Sequence, residues 1–286
     1  VDLSREEIFT QQADNRNVPV QIWYPAANTD GKQVARWISS VEAMGLFTKY
    51  RNLPDLFGYF TLVKTHSYLN AVVSDAEEKY PVILFSGGGA MFNGQNVIQM
   101  EELASQGYIV FAVGHPYEDF TCIYPDGSIV PYSEKQKEEL SADTAKAVEI
   151  AKRTVTDTES GDFHKAILRN AVINNDSVRI WSQDMGFIAD KILEMNDSSE
   201  ESIFAGKLDV SNIGAFGHSF GGAASGQLCL EDERIKSFIN MDGSPFGDAP
   251  NRELDQPFMI LTHGGDEKYS IQTGYSDSEK GYTMVQ

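Results

Sequence analysis

Short, continuously apolar runs recur along the chain, separated by longer stretches in which apolar residues return every three or four positions. "YPVILFS" (80–86) and "YIVFAVG" (108–114) are the clearest runs. Their length and lack of alternation predict strands covered on both faces, as in a parallel sheet. A glycine cluster, Gly87-Gly88-Gly89, and a helical stretch at about 95–106 lie between them, so the three together read as a βαβ unit. "VPVQIWYPA" (18–26) predicts an earlier strand that stops at a proline. "LDVSNIGAFGHS", "IKSFINMDG" and "QPFMILTHGG" predict three later strands, and "GYTMVQ" begins a last one. Helical patterns with charged faces occupy 134–157 and 163–195, with a turn near Gly161, and "GGAASGQLCL" continues as a helix of small residues. Residues 35–70 also show helical spacing, broken by Pro54 and Gly58. Strands alternating with helices predict an α/β fold, a mostly parallel sheet covered by helices on both faces. With no repeat, low-complexity segment or linker, residues 1–286 are expected to form a single domain. A cap-like insert is expected at 35–70 and a helical insert at 134–196.

Composition changes this picture little, but charge narrows the partners. The 286 residues carry a formal net charge of −19, which disfavours nucleic acid and anionic membrane surfaces. No apolar run approaches the roughly 20 residues of a membrane-spanning helix. The two cysteines, Cys122 and Cys229, define no disulfide framework; one bridge and two buried thiols both fit. No Cys/His cluster has zinc spacing, so neither metal nor other cofactor is expected. The chain begins at Val1 without an initiator methionine, which is compatible with a trimmed leader and a secreted or periplasmic location.

The candidate chemistry centres on "IGAFGHSFGGAASG" (213–226). Gly217-His218-Ser219-Phe220-Gly221 fits G-x-S-x-G, placed where a nucleophile elbow requires it, after an apolar strand and before a helix. A serine hydroxyl becomes nucleophilic when a histidine takes its proton and a carboxylate orients that histidine. Backbone N–H groups must also receive the oxyanion, one from the residue after the nucleophile, here Phe220. The loop "FSGGGAMF" (85–92) can supply the second, although a plain βα turn would read the same way. Asp242 ends an apolar strand and is the favoured acid; Asp266 and Glu267, after the next strand, compete, and an Asp that merely opens a turn is the structural alternative. The base is harder to place. His218 adjoins Ser219 and diverges from it, His66 and His164 fall in helical or inserted stretches, and His115 ends a strand far ahead of the elbow. Only His263 follows Asp242, yet it ends a strand beside two glycines and fits a rim position as well as catalysis. The chain stops at Gln286 inside an expected strand, so a histidine beyond it is the other candidate.

These segments resemble the platelet-activating-factor acetylhydrolase family, plasma or isoform II type, within the α/β-hydrolases. "RNVPVQIWYPA" is similar to the family's N-terminal stretch, and "THSYLNA" with "YPVILFSGGGA" to the segment ending in its oxyanion loop. "FAGKLDVSNIGAFGHSFGGAAS" resembles its elbow, and "NMDGSPFG" the strand end bearing its acid. The resemblance implies an α/β-hydrolase fold with Ser219 as nucleophile, Asp242 as acid, and Gly89 and Phe220 as oxyanion donors. Gly87 stands where the family usually carries histidine. The family's catalytic histidine follows the last strand, in a segment past one like "YTMVQ". A metal-free hydrolase of short acyl esters follows as the expected activity, on a small ester or a phospholipid. A peptidase or thioesterase on the same scaffold, and a non-catalytic binding protein, are the alternatives.

Overall fold

The computed structural model describes residues 1–158, 161–198 and 202–262, and the backbone of a strand at 283–285. In chain order the elements are β1 (Asp2–Glu6), β2 (Asn15–Arg16), β3 (Val20–Trp23), β4 (Val34–Arg36), α1 (Val41–Tyr50), a 3-10 turn (Phe57–Leu62), β5 (Lys64–Tyr68), β6 (Tyr80–Ser86), α2 (Val97–Ser105), β7 (Ile109–Val113), β8 (Thr121–Ile123) and β9 (Ile129–Pro131). There follow α3 (Glu134–Thr154), α4 (Gly161–Asn170), α5 (Val172–Asp197), β10 (Leu208–His218), α6 (Phe220–Glu231), β11 (Ile235–Met241), β12 (Phe258–Leu261) and β13 (Thr283–Val285).

Seven of these strands form one sheet in the order β13-β12-β11-β10-β6-β7-β3. All neighbours run parallel except β3, which pairs antiparallel with β7 at the edge. The strands predicted from continuous apolar runs are therefore present. Alternate side chains of each serve opposite faces. Val82, Leu84, Ile109, Phe111, Ile213 and Ala215 pack with Trp181, Met185 and Ile188 of α5 and Ala224 and Leu228 of α6. Phe85, Val110, Ala112 and Phe216 face the other way, onto Met100 and Ala104 of α2. Each fully buried aliphatic or aromatic side chain of this kind stabilises the fold by roughly 1.5–3 kcal/mol.

Strand order reverses at β6. The chain goes from β6 through α2 to β7 on one side, then through α3, α4 and α5 to β10 on the other. A crevice at the carboxyl ends of two such strands is where open α/β sheets bind ligands. Here those ends are Ser86, which enters the glycine loop, and His218, which enters the elbow.

Two sequence expectations are corrected. Residues 35–70 are not helical throughout: α1 is one helix of 10 residues, capped by the Ser40 side chain accepting from Ala43 N–H. The segment is flanked by β4 and β5, an antiparallel pair that includes His66. Alternating burial along Lys64–Tyr68 accounts for this, since every second side chain faces solvent. The helical stretch 163–195 is two helices, α4 and α5, which meet at Ala171, and Gly161 begins α4 rather than preceding it.

Candidate active site

The elbow follows from steric demands at two glycines. A Cβ on Gly217 would stand 2.2 Å from Gly221 C and O, and a Cβ on Gly221 would stand 2.2 Å from the carbonyl oxygens of Ser86 and Gly87. Glycine two residues before and two after the serine is therefore what lets β10 turn into α6 against the end of β6. Ser219 at the apex has φ 51° and ψ −120°. A non-glycine residue in such a sparsely populated region costs about 1–3 kcal/mol, and such strain gathers at functional sites. Ser219 is held there by its N–H, which donates to Met241 O at 2.8 Å, and by its carbonyl, which accepts from Gly222 N–H at 2.9 Å.

Asp242 follows Met241 at the end of β11 and also has positive φ, 58°. Its N–H donates to Leu261 O at 2.7 Å. Beyond it the chain passes directly against the elbow, since a Cβ on Gly243 would lie 2.1 Å from Ser219 O. Asn240, fully buried, closes this turn: its Oδ1 accepts from Gly243 N–H at 2.8 Å and its Nδ2 donates to Gly243 O at 3.1 Å.

The glycine loop completes the cluster. Gly89 is exposed at its tip between buried Gly88 and Ala90. The place its Cβ would take is 3.6 Å from Phe220 Cβ. Gly88 N–H is used by Gln95 Oε1 at 2.8 Å and Ala90 N–H by Glu118 O at 3.0 Å. Among the described residues no acceptor meets the N–H of Gly89 or of Phe220. Phe220 is also the first residue of α6, where unpaired N–H groups and the helix dipole favour negative charge. The structure thus brings Ser219, Phe220, Gly89 and Asp242 together in three adjoining loops.

The other candidates among the described residues lie elsewhere or point away. His263, Asp266 and Glu267 fall outside the described residues. His66 is 97 % exposed and faces Glu101, and His164 lies on α4. His218 turns from Ser219 toward Gln95, whose Nε2 is 2.9 Å from its Nδ1.

His115 is wholly buried behind the site, stacked on Trp181 at 3.8 Å. Ser86 Oγ lies 2.9 Å from its Nε2 and Asp184 Oδ2 lies 2.9 Å from its Nδ1. The residue types are those of a catalytic triad, but none of the three is accessible to a substrate. Burial pushes the His115 pKa down, against the pull of Asp184. Burial alone would raise Asp184, but the Arg16 charge and hydrogen bonds from His115 and Arg16 outweigh it and hold the carboxyl well below the usual range. Neutral His115 therefore donates from Nδ1 to Asp184 and accepts the Ser86 hydroxyl proton at Nε2. Trp181 carries this support to the site, meeting the Phe220 ring edge-on at 5.0 Å. The sequence reading missed Gln95, Asn240 and this cluster; the Asn-x-Asp-Gly run at 240–243 is the one local signal that pointed to any of them.

Cys122 and Cys229 are both free and buried. Among the described residues no three His, Cys, Asp or Glu side chains are grouped to hold a metal ion, and no helix is long and apolar enough to cross a membrane.

A family profile described as platelet-activating factor acetylhydrolase, isoform II, matches residues 6–273. The chain is 27% identical over 260 residues to a platelet-activating factor acetylhydrolase of Cavia porcellus, covering 86% of this chain and 55% of that protein. It is 26% identical over 288 residues to the one of Canis lupus familiaris, covering 94% of this chain and 59% of that protein. A probable 1-alkyl-2-acetylglycerophosphocholine esterase of Arthroderma benhamiae is 24% identical over 208 residues, covering 70% of this chain and 43% of that one. The chain thus spans little more than half the length of the relatives it matches first. Among solved structures, a ferulic acid esterase from Streptomyces cinnamoneus superposes with a TM-score of 0.72 at 23% identity, covering 99% of this chain and 69% of that one. That likeness establishes the α/β-hydrolase fold.

Proposed function

Because the chain belongs to the platelet-activating factor acetylhydrolase isoform II family, we propose that it is a serine carboxylic-ester hydrolase working through an acyl-enzyme. Ser219 Oγ attacks the ester carbonyl, and its proton passes to a histidine oriented by the Asp242 carboxylate. The carbonyl oxygen, now negative, takes hydrogen bonds from Gly89 N–H and Phe220 N–H. The C–O bond to the alcohol breaks as the histidine returns the proton to the leaving oxygen. Water then attacks the acyl-serine by the same route, releasing the acid and restoring Ser219.

The observation that carries this reading is the strained Ser219 backbone, φ 51° and ψ −120°, beside two N–H groups with no acceptor among the described residues. A plain turn between a strand and a helix requires neither. The substrate class proposed is a small ester or a phospholipid with a short acyl chain. It is supported by the activities for which the relatives are named and by the apolar insert at 35–70, which rests on the glycine loop: Trp37 Nε1 donates to Gly94 O at 2.8 Å, and its ring meets Phe92 at 5.8 Å. Assay of the protein on p-nitrophenyl acetate should show turnover, and Ser219→Ala should lower it about 10⁴-fold or more. Turnover unchanged in the variant would exclude the elbow serine as nucleophile.

A further inference from the structure

The two N–H groups assigned to the oxyanion belong to separate segments, one on the glycine loop and one on the elbow, so something must fix their spacing. We propose that Gln95 is the positioning residue of the oxyanion hole, its side-chain amide fastening the glycine loop to the strand that carries the nucleophile. This deepens the ester-hydrolase reading and rests on it.

The amide bridges two groups of opposite demand. Gly88 N–H can only donate, so the atom 2.8 Å from it is Oε1. The orientation of the amide is thereby settled by chemistry. Nε2 then faces His218 Nδ1 at 2.9 Å and donates to it, which makes Nδ1 an acceptor and places the proton of a neutral His218 on Nε2. His218 immediately precedes Ser219, and Gly88 immediately precedes Gly89. One side chain is therefore hydrogen-bonded to the neighbour of each catalytic segment.

The bridge stands on a fixed base. Gln95 N–H donates to Phe92 O at 3.0 Å, and the adjoining Gly94 carbonyl is held by Trp37. The space around it is tight: a Cβ on Gly88 would lie 2.9 Å from His218 Nδ1, and one on Gly87 would lie 3.4 Å from Gln95 Oε1. By consuming Gly88 N–H, the amide leaves Gly89 N–H as the donor at the tip of the loop. Glutamine alone among residues of this length presents an acceptor and a donor side by side. Methionine matches its volume with neither, and glutamate keeps the acceptor and loses the donor.

A hydrogen bond to an oxyanion strengthens in the transition state, so a misplaced donor lowers kcat more than it raises KM. In the full-length protein, Gln95→Met is expected to lower kcat on p-nitrophenyl acetate about 10- to 100-fold. KM should stay within about threefold and the melting temperature should change little. Gln95→Glu should fall between Gln95→Met and wild type. Amide hydrogen exchange at Gly88 should be slow in wild type and faster in Gln95→Met, a readout independent of turnover. Wild-type kcat in Gln95→Met, or a loss shared equally by kcat and thermal stability, would overturn the inference. Absence of ester turnover in wild type would defeat the hydrolase reading instead. In that case equal Gly88 exchange in the two proteins would overturn the clamp, and faster exchange in the variant would support it.

Discussion

Three non-glycine residues with positive φ, Ala90, Ser219 and Asp242, stand in the three loops that leave the carboxyl ends of β6, β10 and β11. Each is held by neighbours that over-determine it, as strain at a working site must be. At Asp242 the neighbours are Leu261 O and the Asn240–Gly243 turn. Asp242→Asn keeps the shape and removes the charge proposed to orient a histidine, so turnover should drop on the order of 10⁴-fold while the thermal transition is preserved. An Asp242→Asn protein with near-native kcat would move the acid to another position. The elbow was legible because the turn dictates residue identity: only glycine fits at 217 and 221. Gln95 and Asn240 were not legible in the same way. A polar side chain that satisfies a loop N–H needs no periodicity, and the pairing of Gln95 with His218 spans 123 positions.

The strands were legible among the elements because coverage on both faces leaves an apolar run that few other structures produce. The pairs β1–β2 and β8–β9 were not, since each includes a strand of only two or three residues. In the insert, aromatic spacing suggested helix where hydrogen bonding to a partner strand prevails. Its large apolar side chains divide in two. Phe57 and Phe60 are half-buried and pack with Trp37, Phe47 and Phe92 in a small separate core. Leu56, Tyr59 and Leu62 are the exposed members, each more than half accessible. We propose that this exposed row walls the mouth of the site. Leu56→Ser and Tyr59→Ser should then weaken hydrolysis of long-acyl esters more than of acetyl esters, with the melting temperature little altered. Equal losses along an acyl-length series would mean that this row does not wall the site.

At the scale of the molecule, one buried polar cluster joins the N-terminal hairpin, the sheet and α5. Arg16 of β2 donates to Asp184 and Glu7, Asp184 accepts from His115, and His115 accepts from Ser86 at the end of β6. No apolar pattern announces such a cluster, so it was invisible in the sequence. It makes stability depend on pH. Unfolded His115 takes up a proton near its ordinary value of about 6.5, whereas the buried ring stays neutral to lower pH. Below that value the unfolded chain binds more protons, so stability present above it is lost as pH falls, with a slope approaching about 1.4 kcal/mol per pH unit from this group. Asp184, also held low when folded, adds a loss below the ordinary carboxylate range, while Glu118 and Asp119, raised by burial, act in the opposite sense above that range. Urea midpoints between pH 7.5 and 5.5 should therefore fall less steeply in His115→Gln than in wild type; identical slopes would take His115 out of the linkage. In front of this cluster, the chemistry proposed for the molecule runs through an acyl-serine at the elbow. Reaction with a fluorophosphonate followed by peptide mass analysis tests it most directly. One adduct is expected, on Ser219, and none in Ser219→Ala; an adduct on another residue, or full hydrolytic activity with Ser219 removed, would rule out an acyl-serine at the elbow.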